Sequence, residues 1–399
     1  MYLRLSVALA ALTIFGNIYI NGISVGHLVP EAALAHLEEE IPISREEIII
    51  TAKGARLVYT FADFAAGYDF EAAVAEAVDY SQNCGFFKGL ARKLALKLKD
   101  RHIEAVYGFD EEVLDEIVQE IVKKLTIRPV EPDYSIQNGQ FKFTDGKIGR
   151  QICEVALTKD ILALLTAKQG GTVNAQITEV SPKYNRAQFE AATDLIGSFA
   201  TPFNPTDINR ATNLAVAAAY LNNRTILPAQ VFSTCAALRR RTAENGYVRA
   251  AQILNGEPDT GIGGGICQIS STLYMAVLHA ELPIRERRPH SLMVSYAPPA
   301  TDAALAEGHI DLKFENNTDN PVLIETILDD RRGELKINIY GHETRPIGRS
   351  ITFITVPKEG TDQIVKYELH KIIAENGQVR QEKINSSNYK QRQIQPSTE

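Results

Sequence analysis

The sequence has few cysteines, and their spacing limits the chemistry they can perform. Four occur in 399 residues, and no two of them form a CxxC pair: Cys84, Cys153, Cys235 and Cys267. This pattern argues against a structural zinc site, and so few cysteines in a long chain argue against a disulfide framework. We therefore expect no metal and no cofactor. Each cysteine is either a working thiol or a small buried apolar residue.

Positive charge is also in short supply, because the formal net charge is −7. A chain without a domain-wide basic excess is not built to coat nucleic acid, so no nucleic acid is expected as a partner. Hydrophobic residues make up 45 % and charged residues 23 %, which is the balance of a globular protein. The length is sufficient for two or three domains.

No apolar run reaches the roughly 20 residues that a transmembrane helix needs. The longest candidate is Ser6–Phe15, which follows Arg4 and precedes the first acidic residue, Glu31. This pattern is typical of a signal peptide or a short membrane anchor, and the alternative is a buried first strand or helix. We expect residues 1–16 to direct export and the remainder to be extracytoplasmic.

The periodicity predicts an α+β fold of helices mixed with antiparallel strands, without a regular βαβ alternation. Asn21-Gly22 predicts a hairpin, and a second hairpin is expected within 134–150. One strand is expected over 172–180. From Ser386 onward the chain is polar, which predicts disorder. A break in periodicity over 181–195 indicates a domain boundary.

The strongest chemical signal is Gly263-Gly264-Gly265-Ile266-Cys267-Gln268, followed by a predicted helix over 267–280. A cysteine at a helix N-terminus feels the positive end of the helix dipole, which favours the thiolate. The free N–H groups of the first turn can also hold an oxyanion. The segment therefore supplies a candidate nucleophile and a candidate oxyanion hole. The alternative is a tight glycine turn.

A nucleophilic cysteine needs a base, and His290 lies 23 residues downstream, within reach of a helix and a returning segment. Asp302 or Asp311 could orient its imidazole. Taken alone, His290 could equally be a surface or core histidine. A phosphate-binding loop is excluded because no Lys-Ser/Thr pair follows the glycines.

These residues resemble the VanW family. The similarity covers roughly 195–345, and its most specific part is the stretch from Gly263 to Tyr274. Further matching segments, in chain order, are Thr206–Arg210, Asn213, Leu221-Asn222, Leu227-Pro228, Val231–Ser233, Arg241-Thr242, Gly246-Tyr247, Pro289–Ser291, Tyr296, Asp302-Ala303, Asp311–Phe314 and Asn316. Residues 55–180 resemble, more weakly, the peptidoglycan-binding-type domain that often precedes VanW domains.

The sequence departs from the family pattern at two places. Thr234-Cys235 stand where the family usually has an asparagine. Pro299-Ala300-Thr301 precede Asp302, where the family often has Pro-Gly. Both changes concern loop geometry and leave Cys267 and His290 in place.

The resemblance implies bacterial cell-wall chemistry of the L,D-transpeptidase type, in which a cysteine forms a thioester with a peptide stem. Carried over by motif, Cys267 is the nucleophile and His290 the base. Asp302 is the first candidate for the residue that orients His290, and Asp311 is the second. Peptidoglycan stem peptides are the expected partner. Arg287 and Arg288 are either ligands of a stem carboxylate or solvated charges. The residues expected to contact substrate are Gly264, Gly265, Gln268, Ser270, Asn209, Arg210 and Asn213.

Two functions of different classes remain open at this point: a cysteine acyltransferase acting on peptidoglycan, and a non-catalytic wall-binding or scaffolding protein with a structural Cys267. The expected organisation has four parts: a signal peptide or membrane anchor over 1–20, a peptidoglycan-binding-type α+β domain over 21–190, a VanW-like domain over 195–345, and a β-rich extension with a disordered tail over 346–399.

Overall fold

A computed structural model describes residues 13–82, 86–254, 257–361 and 363–391. The chain forms two compact units. Unit one comprises Met1–Val130 and Ile148–Ser181, and unit two comprises Glu131–Lys147 and Pro182–Glu399. Both units combine helices with antiparallel strands, which confirms the α+β class.

The helices and strands are numbered in chain order. The helices are α1 Pro30–Glu40, α2 Phe70–Gln82, α3 Phe86–Leu98, α4 Glu111–Leu125, α5 Glu154–Ala167, α6 Arg186–Glu190, α7 Ile208–Leu221, α8 Thr234–Leu238 and α9 Cys267–His279. The strands are β1 Ile18–Ile20, β2 Ile23–Ser24, β3 Glu47–Ala52, β4 Ala55–Thr60, β5 Gly67–Tyr68, β6 Arg101–Ile103, β7 Tyr107–Gly108, β8 Asp133–Gln137, β9 Gln140–Thr144, β10 Gly149–Ile152, β11 Gly171–Asn174, β12 Ile177–Val180, β13 Asp194–Pro202, β14 Arg224–Ile226, β15 Val231–Ser233, β16 Arg249–Leu254, β17 Glu257–Ile262, β18 Ile284–Glu286, β19 Lys313–Glu315, β20 Val322–Asp329, β21 Glu334–Gly341, β22 Ser350–Thr361, β23 Ile364–Glu375 and β24 Gln378–Lys390.

The first core of unit one lies between a small sheet and helices α1 to α3. Strand β1 pairs antiparallel with β2 through the predicted Asn21-Gly22 turn, where both residues have positive φ, and parallel with β6. Ile14, Ile18 and Ile20, which lie within the expected leader or anchor over 1–20, are buried in this core. Residues 1–12, the rest of the expected export segment, lie outside the described residues.

The second core of unit one lies under the sheet β11-β3-β4 and is covered by α4 and α5. Asp110 caps α4 by accepting hydrogen bonds from the amides of Glu112 and Val113, as its position before an acidic first turn predicts. The single strand expected over 172–180 is in fact two strands, because β11 pairs with β3 and β12 pairs with β10. No helix of the described chain is long and apolar enough to cross a bilayer.

The hairpin β8-β9 belongs to unit two, although the sequence places it within the first expected domain. Tyr134, Phe141 and Phe143 form an aromatic face on this hairpin. Tyr134 packs edge-on against Phe189, and Phe141 packs edge-on against Tyr340. Burial of these rings fixes the hairpin to unit two.

Unit two is built around α9, which is buried from Gln268 to Leu278. This helix lies on the antiparallel sheet β13-β21-β20-β14, with α7 beside it. Gly197 of β13 allows the close approach, because a Cβ there would lie 2.4 Å from the carbonyl oxygen of Ala276. The predicted helix over 267–280 is confirmed, and its first residue is Cys267.

The C-terminal sheet, β22-β23-β24, corrects the expectation of disorder from Ser386 as far as Lys390, while residues 392–399 of the expected tail lie outside the described residues. Strand β24 continues to Lys390 and pairs along its length with β23. Ser387 and Tyr389 are each 1 % exposed. Two of the three inward side chains at the end of β24, Asn385 and Ser387, are polar. The alternation of apolar and polar residues that predicts a strand from sequence is therefore missing here.

Candidate active site

The candidate nucleophile Cys267 opens α9 directly after the glycine loop. Gly263 and Gly265 have φ values of +82° and +99°, which residues with a Cβ rarely adopt. A Cβ on Gly264 would lie 2.5 Å from the carbonyl oxygen of Ala250 in β16. Backbone strain and close approach therefore require glycine at all three positions, and together they place the half-buried thiol at the helix N-terminus.

Polar side chains of α7 hold this loop in place. The amide Nδ2 of Asn213 donates to the carbonyl oxygens of Gly264 at 2.9 Å and Val248 at 3.0 Å. Its Oδ1 accepts from the amide of Val248 at 2.8 Å. Asn213, one of the residues expected to contact substrate, is fully buried, and these bonds hold the glycine loop against α7. Asn209 is exposed and donates to the carbonyl oxygen of Arg249.

Arg210 joins α7 to the first turn of α9. Its Nη2 donates to Oε1 of Gln268 at 2.9 Å, and Nε2 of Gln268 donates to the carbonyl oxygen of Pro202 at 2.8 Å. Gln268 is buried and thus fixed from both ends. Ser270 is also buried, and its hydroxyl donates to the carbonyl oxygen of Ala303 at 2.5 Å. These bonds tie the start of α9 to the segment that carries Asp302.

The structure brings His290 and Asp302 together, as one of the two sequence alternatives expected. Nδ1 of His290 lies 2.6 Å from Oδ2 of Asp302, and the His290 amide donates to the same oxygen at 2.7 Å. The imidazole and the Cys267 thiol also lie close enough for each to shift the pKa of the other. With Nδ1 on Asp302, Nε2 is the nitrogen left for the thiol. The three side chains form a Cys-His-Asp chain of contacts.

Asp311, the other candidate partner of His290, has a different role. Its carboxylate accepts from the Ser233 hydroxyl at 2.5 Å and from the Cys235 amide at 2.9 Å. It therefore holds the turn that begins α8.

Electrostatics favour charge separation between the thiol and the imidazole. Burial raises the pKa of Cys267, but the hydrogen bond and positive charge of His290 outweigh it, and the pKa lies below its usual value. Burial lowers the pKa of His290, but Asp302 and the thiol together raise it to about 9. A thiolate–imidazolium pair is the form that these interactions stabilise.

Asp302 is 1 % exposed and receives further donors from remote parts of unit two. Nη2 of Arg287 lies 3.2 Å from its Oδ1, and the Tyr389 hydroxyl donates to the same oxygen at 2.5 Å. Burial raises the pKa of Asp302, but His290 and the other donors bring it below the usual range. The carboxylate is therefore ionised.

Arg287 is buried by this arrangement, with Nη1 donating to the Ser387 hydroxyl at 2.9 Å. Of the two arginines considered for a stem carboxylate, Arg287 thus holds Asp302 and the C-terminal sheet. The contribution of β24 was missed from the sequence. Tyr389 lies 87 residues from Asp302, outside the segment that resembles a known family, and no local pattern connects them.

The remaining cysteines contrast with Cys267. Burial, followed by the charge of Asp311, raises the pKa of the Cys235 thiol to about 12. Cys153 is exposed just before α5. Cys84 lies outside the described residues. Among the described residues, no three histidines, cysteines or carboxylates come together as a metal site.

A groove of about 1070 Å³ runs beside the first turn of α9. Arg210, Gln268 and Tyr296 form the wall next to Cys267, and Phe203, Met293 and Lys390 line other parts. The guanidinium of Arg210 lies 5.8 Å from the centroid of the Tyr296 ring. The groove thus combines apolar surface with positive charge, which suits an extended ligand carrying carboxylates.

Residues 209–340 match a family model described as "VanW like protein". Residues 57–174 match one described as "Putative peptidoglycan binding domain". Cys267, His290 and Asp302 all fall inside the first match, and β22 to β24 lie beyond it.

Two curated proteins are similar to the chain. An uncharacterized protein, YoaR of Bacillus subtilis, is 31 % identical over 195 residues, which cover 49 % of this chain and 64 % of that protein. The vancomycin B-type resistance protein VanW of Enterococcus faecalis is 35 % identical over 129 residues, covering 31 % of this chain and 47 % of that protein. The chain thus spans less than two thirds of either relative. No solved structure matches it.

Proposed function

We propose that this chain, which belongs to the VanW family and carries a peptidoglycan-binding-type domain, acts in the bacterial cell wall as a cysteine acyltransferase on peptidoglycan stem peptides. One observation carries the proposal: Cys267, at the start of the buried helix α9, interacts with His290, and His290 in turn bonds Asp302. Under this proposal the chain is extracytoplasmic, and its first unit binds the wall.

The first half-reaction forms a thioester. The Cys267 thiolate attacks a carbonyl carbon of the stem, and the tetrahedral oxyanion collapses by breaking the C–N bond. The imidazolium of His290 donates its Nε2 proton to the departing amine. Asp302 stays ionised throughout, holding the ring by Nδ1 and stabilising its positive charge.

The second half-reaction returns the enzyme to its starting state. An amine of another stem attacks the thioester carbon, neutral His290 accepts a proton from that amine, and Cys267 leaves as thiolate. One amide bond is broken and one is formed, so no oxidant or reductant is required. If water replaced the amine, the same groups would hydrolyse the stem.

The loop also supplies donors for the oxyanion. Within the described chain, the amides of Gly265 and Cys267 have no protein acceptor, whereas the amide of Gln268 donates to the carbonyl oxygen of Gly265. Two free N–H groups beside the nucleophile suit a developing negative charge. Arg210 and Lys390 in the adjacent groove suit the carboxylates of a peptide stem.

Mass spectrometry of the purified chain incubated with a tetrapeptide stem tests the proposal. We expect an adduct on the peptide containing Cys267, equal to the donor minus its leaving group, that an added amine removes. Cys235→Ala is the matched control and should retain the adduct, while Cys267→Ala should lose it.

The second class of function, a wall-binding or scaffolding protein, predicts different results from the same measurements. It predicts no adduct, unchanged binding to purified peptidoglycan in Cys267→Ala, and a lower melting temperature caused by loss of the hydrogen bond from the Leu305 amide to the sulfur. That set of outcomes would reject catalysis.

A further inference from the structure

Helix α3 of unit one exposes an apolar stripe to solvent. Leu90, Leu94 and Leu98 are 61 %, 62 % and 86 % exposed. Residues four apart lie on the same side of a helix, so the three leucines form one continuous row. Exposed leucines in a contiguous row are unusual on a soluble surface and indicate an interaction site.

The opposite face of α3 contacts the fold through Leu96 and Arg92. Leu96 is 4 % exposed, and its carbonyl oxygen accepts a hydrogen bond from Nδ2 of Asn17 at 2.9 Å. Nη1 of Arg92 donates to the carbonyl oxygen of Tyr80 at 2.7 Å. The leucine row therefore has a fixed outward orientation.

Basic residues flank the row. Lys88, Lys97 and Lys99 are exposed, and no acidic residue occurs between Phe86 and Lys99. This segment stands out in a chain whose net charge is −7. An apolar row bordered by lysines is the pattern of a helix that lies in the headgroup region of an anionic lipid surface. A polyanion alone would gain little from the leucines.

The start of the described chain lies on the same side of unit one. The Gln82 side chain donates to the carbonyl oxygen of Thr13 at 2.9 Å, and the Lys93 ammonium lies 4.7 Å from the centroid of the Phe15 ring. The apolar sequence that precedes Thr13 is therefore joined to the fold next to α3.

We propose that α3 docks on an anionic membrane surface, with Leu90, Leu94 and Leu98 entering the boundary between headgroups and acyl chains and the lysines contacting lipid phosphates. This surface is separate from the candidate active site and does not depend on the proposed reaction. It would hold unit one at the membrane that underlies the wall.

The absence of tryptophan from the chain allows a specific optical test. Leu94→Trp introduces a single reporter into the row, with Leu90→Trp as a second reporter if the first variant is unstable. We expect blue-shifted emission with phosphatidylglycerol vesicles, little shift with phosphatidylcholine alone, and quenching by lipids brominated near the headgroup end of the acyl chain. Val155→Trp, at an 80 % exposed position of α5, is the control and should not respond.

Vesicle sedimentation of the full chain measures the energetic contribution of the row. Leu90→Gln with Leu94→Gln should lower partitioning at least about tenfold. Val155→Gln with Leu162→Gln removes other exposed apolar groups of unit one and should leave it nearly unchanged. The proposal is overturned if vesicles sediment the Leu94→Trp variant without shifting its tryptophan emission, since the N-terminal segment alone would then bind. A shift with purified peptidoglycan or a soluble polyanion, but not with vesicles, would equally overturn it.

Discussion

Four donors converge on the buried carboxylate of Asp302: the amide and Nδ1 of His290, Nη2 of Arg287 and the hydroxyl of Tyr389. A buried charge is costly unless it is paired and hydrogen-bonded, and these partners offset that cost. The two bonds to His290 fix the imidazole; burial lowers its pKa, but Asp302 and the Cys267 thiol together raise it to about 9. This stabilisation is fully present below the pKa of the unfolded histidine and is lost as pH rises through about 9.

Tyr389→Phe removes one of these donors and should alter the pH dependence of the thiol. Without this donor Asp302 is held less firmly against the imidazole and their hydrogen bond weakens, so the pKa of His290 should fall and the pKa of Cys267 should rise. We expect the iodoacetamide profile of Cys267 to move to higher pH, with a rate at neutral pH about three- to tenfold lower. Peptide-resolved alkylation across pH measures this.

Tyr220→Phe is the matched control for that variant. The Tyr220 hydroxyl donates a hydrogen bond within unit two as well, to the carbonyl oxygen of Asn245 at 3.1 Å, but it has no bond to Asp302. It should lower the melting temperature without changing the profile. An unchanged profile in Tyr389→Phe would show that the tyrosine only supports the fold.

The sequence predicts the candidate nucleophile and its candidate base because their signals are local. Three glycines before Cys267 predict a helix start, and the distance to His290 permits a return of the chain. The sequence could not choose between Asp302 and Asp311 as the partner of His290. In the structure both carboxylates are buried and hydrogen-bonded, but only Asp302 contacts His290, while Asp311 contacts Ser233. Tyr389 could not be foreseen, since its partner lies far away in sequence.

Among the elements, the conformation of the glycine loop determines the position of the first turn of α9. Gly265 has a φ of +99° and lies directly against Arg210. A Cβ added at Gly265 would lie 2.9 Å from Cγ of Arg210. Arg210 in turn bonds Gln268 in the first turn of α9. A change at Gly265 therefore reaches both the backbone of the loop and the side chains beside the thiol.

Gly265→Ala should cost about 1–3 kcal/mol of stability and displace Arg210. We also expect slower alkylation of Cys267, because the helix N-terminus that stabilises the thiolate would shift. Gly377→Ala is the control, with a φ of +77° but nothing near the added Cβ, so it should cost only the strain of the left-handed conformation. Denaturant melts and alkylation rates distinguish them. Equal effects of the two variants would argue against the role of the Arg210 contact.

Elements with strong periodicity or turn signals are predictable, as α9 and the Asn21-Gly22 hairpin show. Strand β24 was missed because its inward positions at Asn385 and Ser387 are polar and satisfied by hydrogen bonds rather than by apolar contacts. The stretch over 172–180 reads as one strand, but its two halves pair with different partners, and pairing partners cannot be deduced from local periodicity.

At the scale of the whole molecule, the chain crosses between the two units more than once. The chain passes from unit one into the hairpin β8-β9 of unit two, returns to unit one at Ile148 and enters unit two again at Pro182. A single boundary, as the break in periodicity over 181–195 suggests, cannot describe this path. That interval also contains Phe189, which is fully buried in unit two.

Limited proteolysis distinguishes a simple domain linker from this double crossing. A single cut near residue 182 should leave the β8-β9 hairpin covalently attached to unit one and packed into unit two by Tyr134, which is 2 % exposed. We expect two fragments under denaturing conditions that elute together under native conditions. Tyr134→Ala removes a large buried ring at a cost of about 3–5 kcal/mol and should allow the nicked fragments to separate. Separation of the wild-type fragments would contradict the double crossing, and co-elution of the Tyr134→Ala fragments would show that the hairpin does not hold them together.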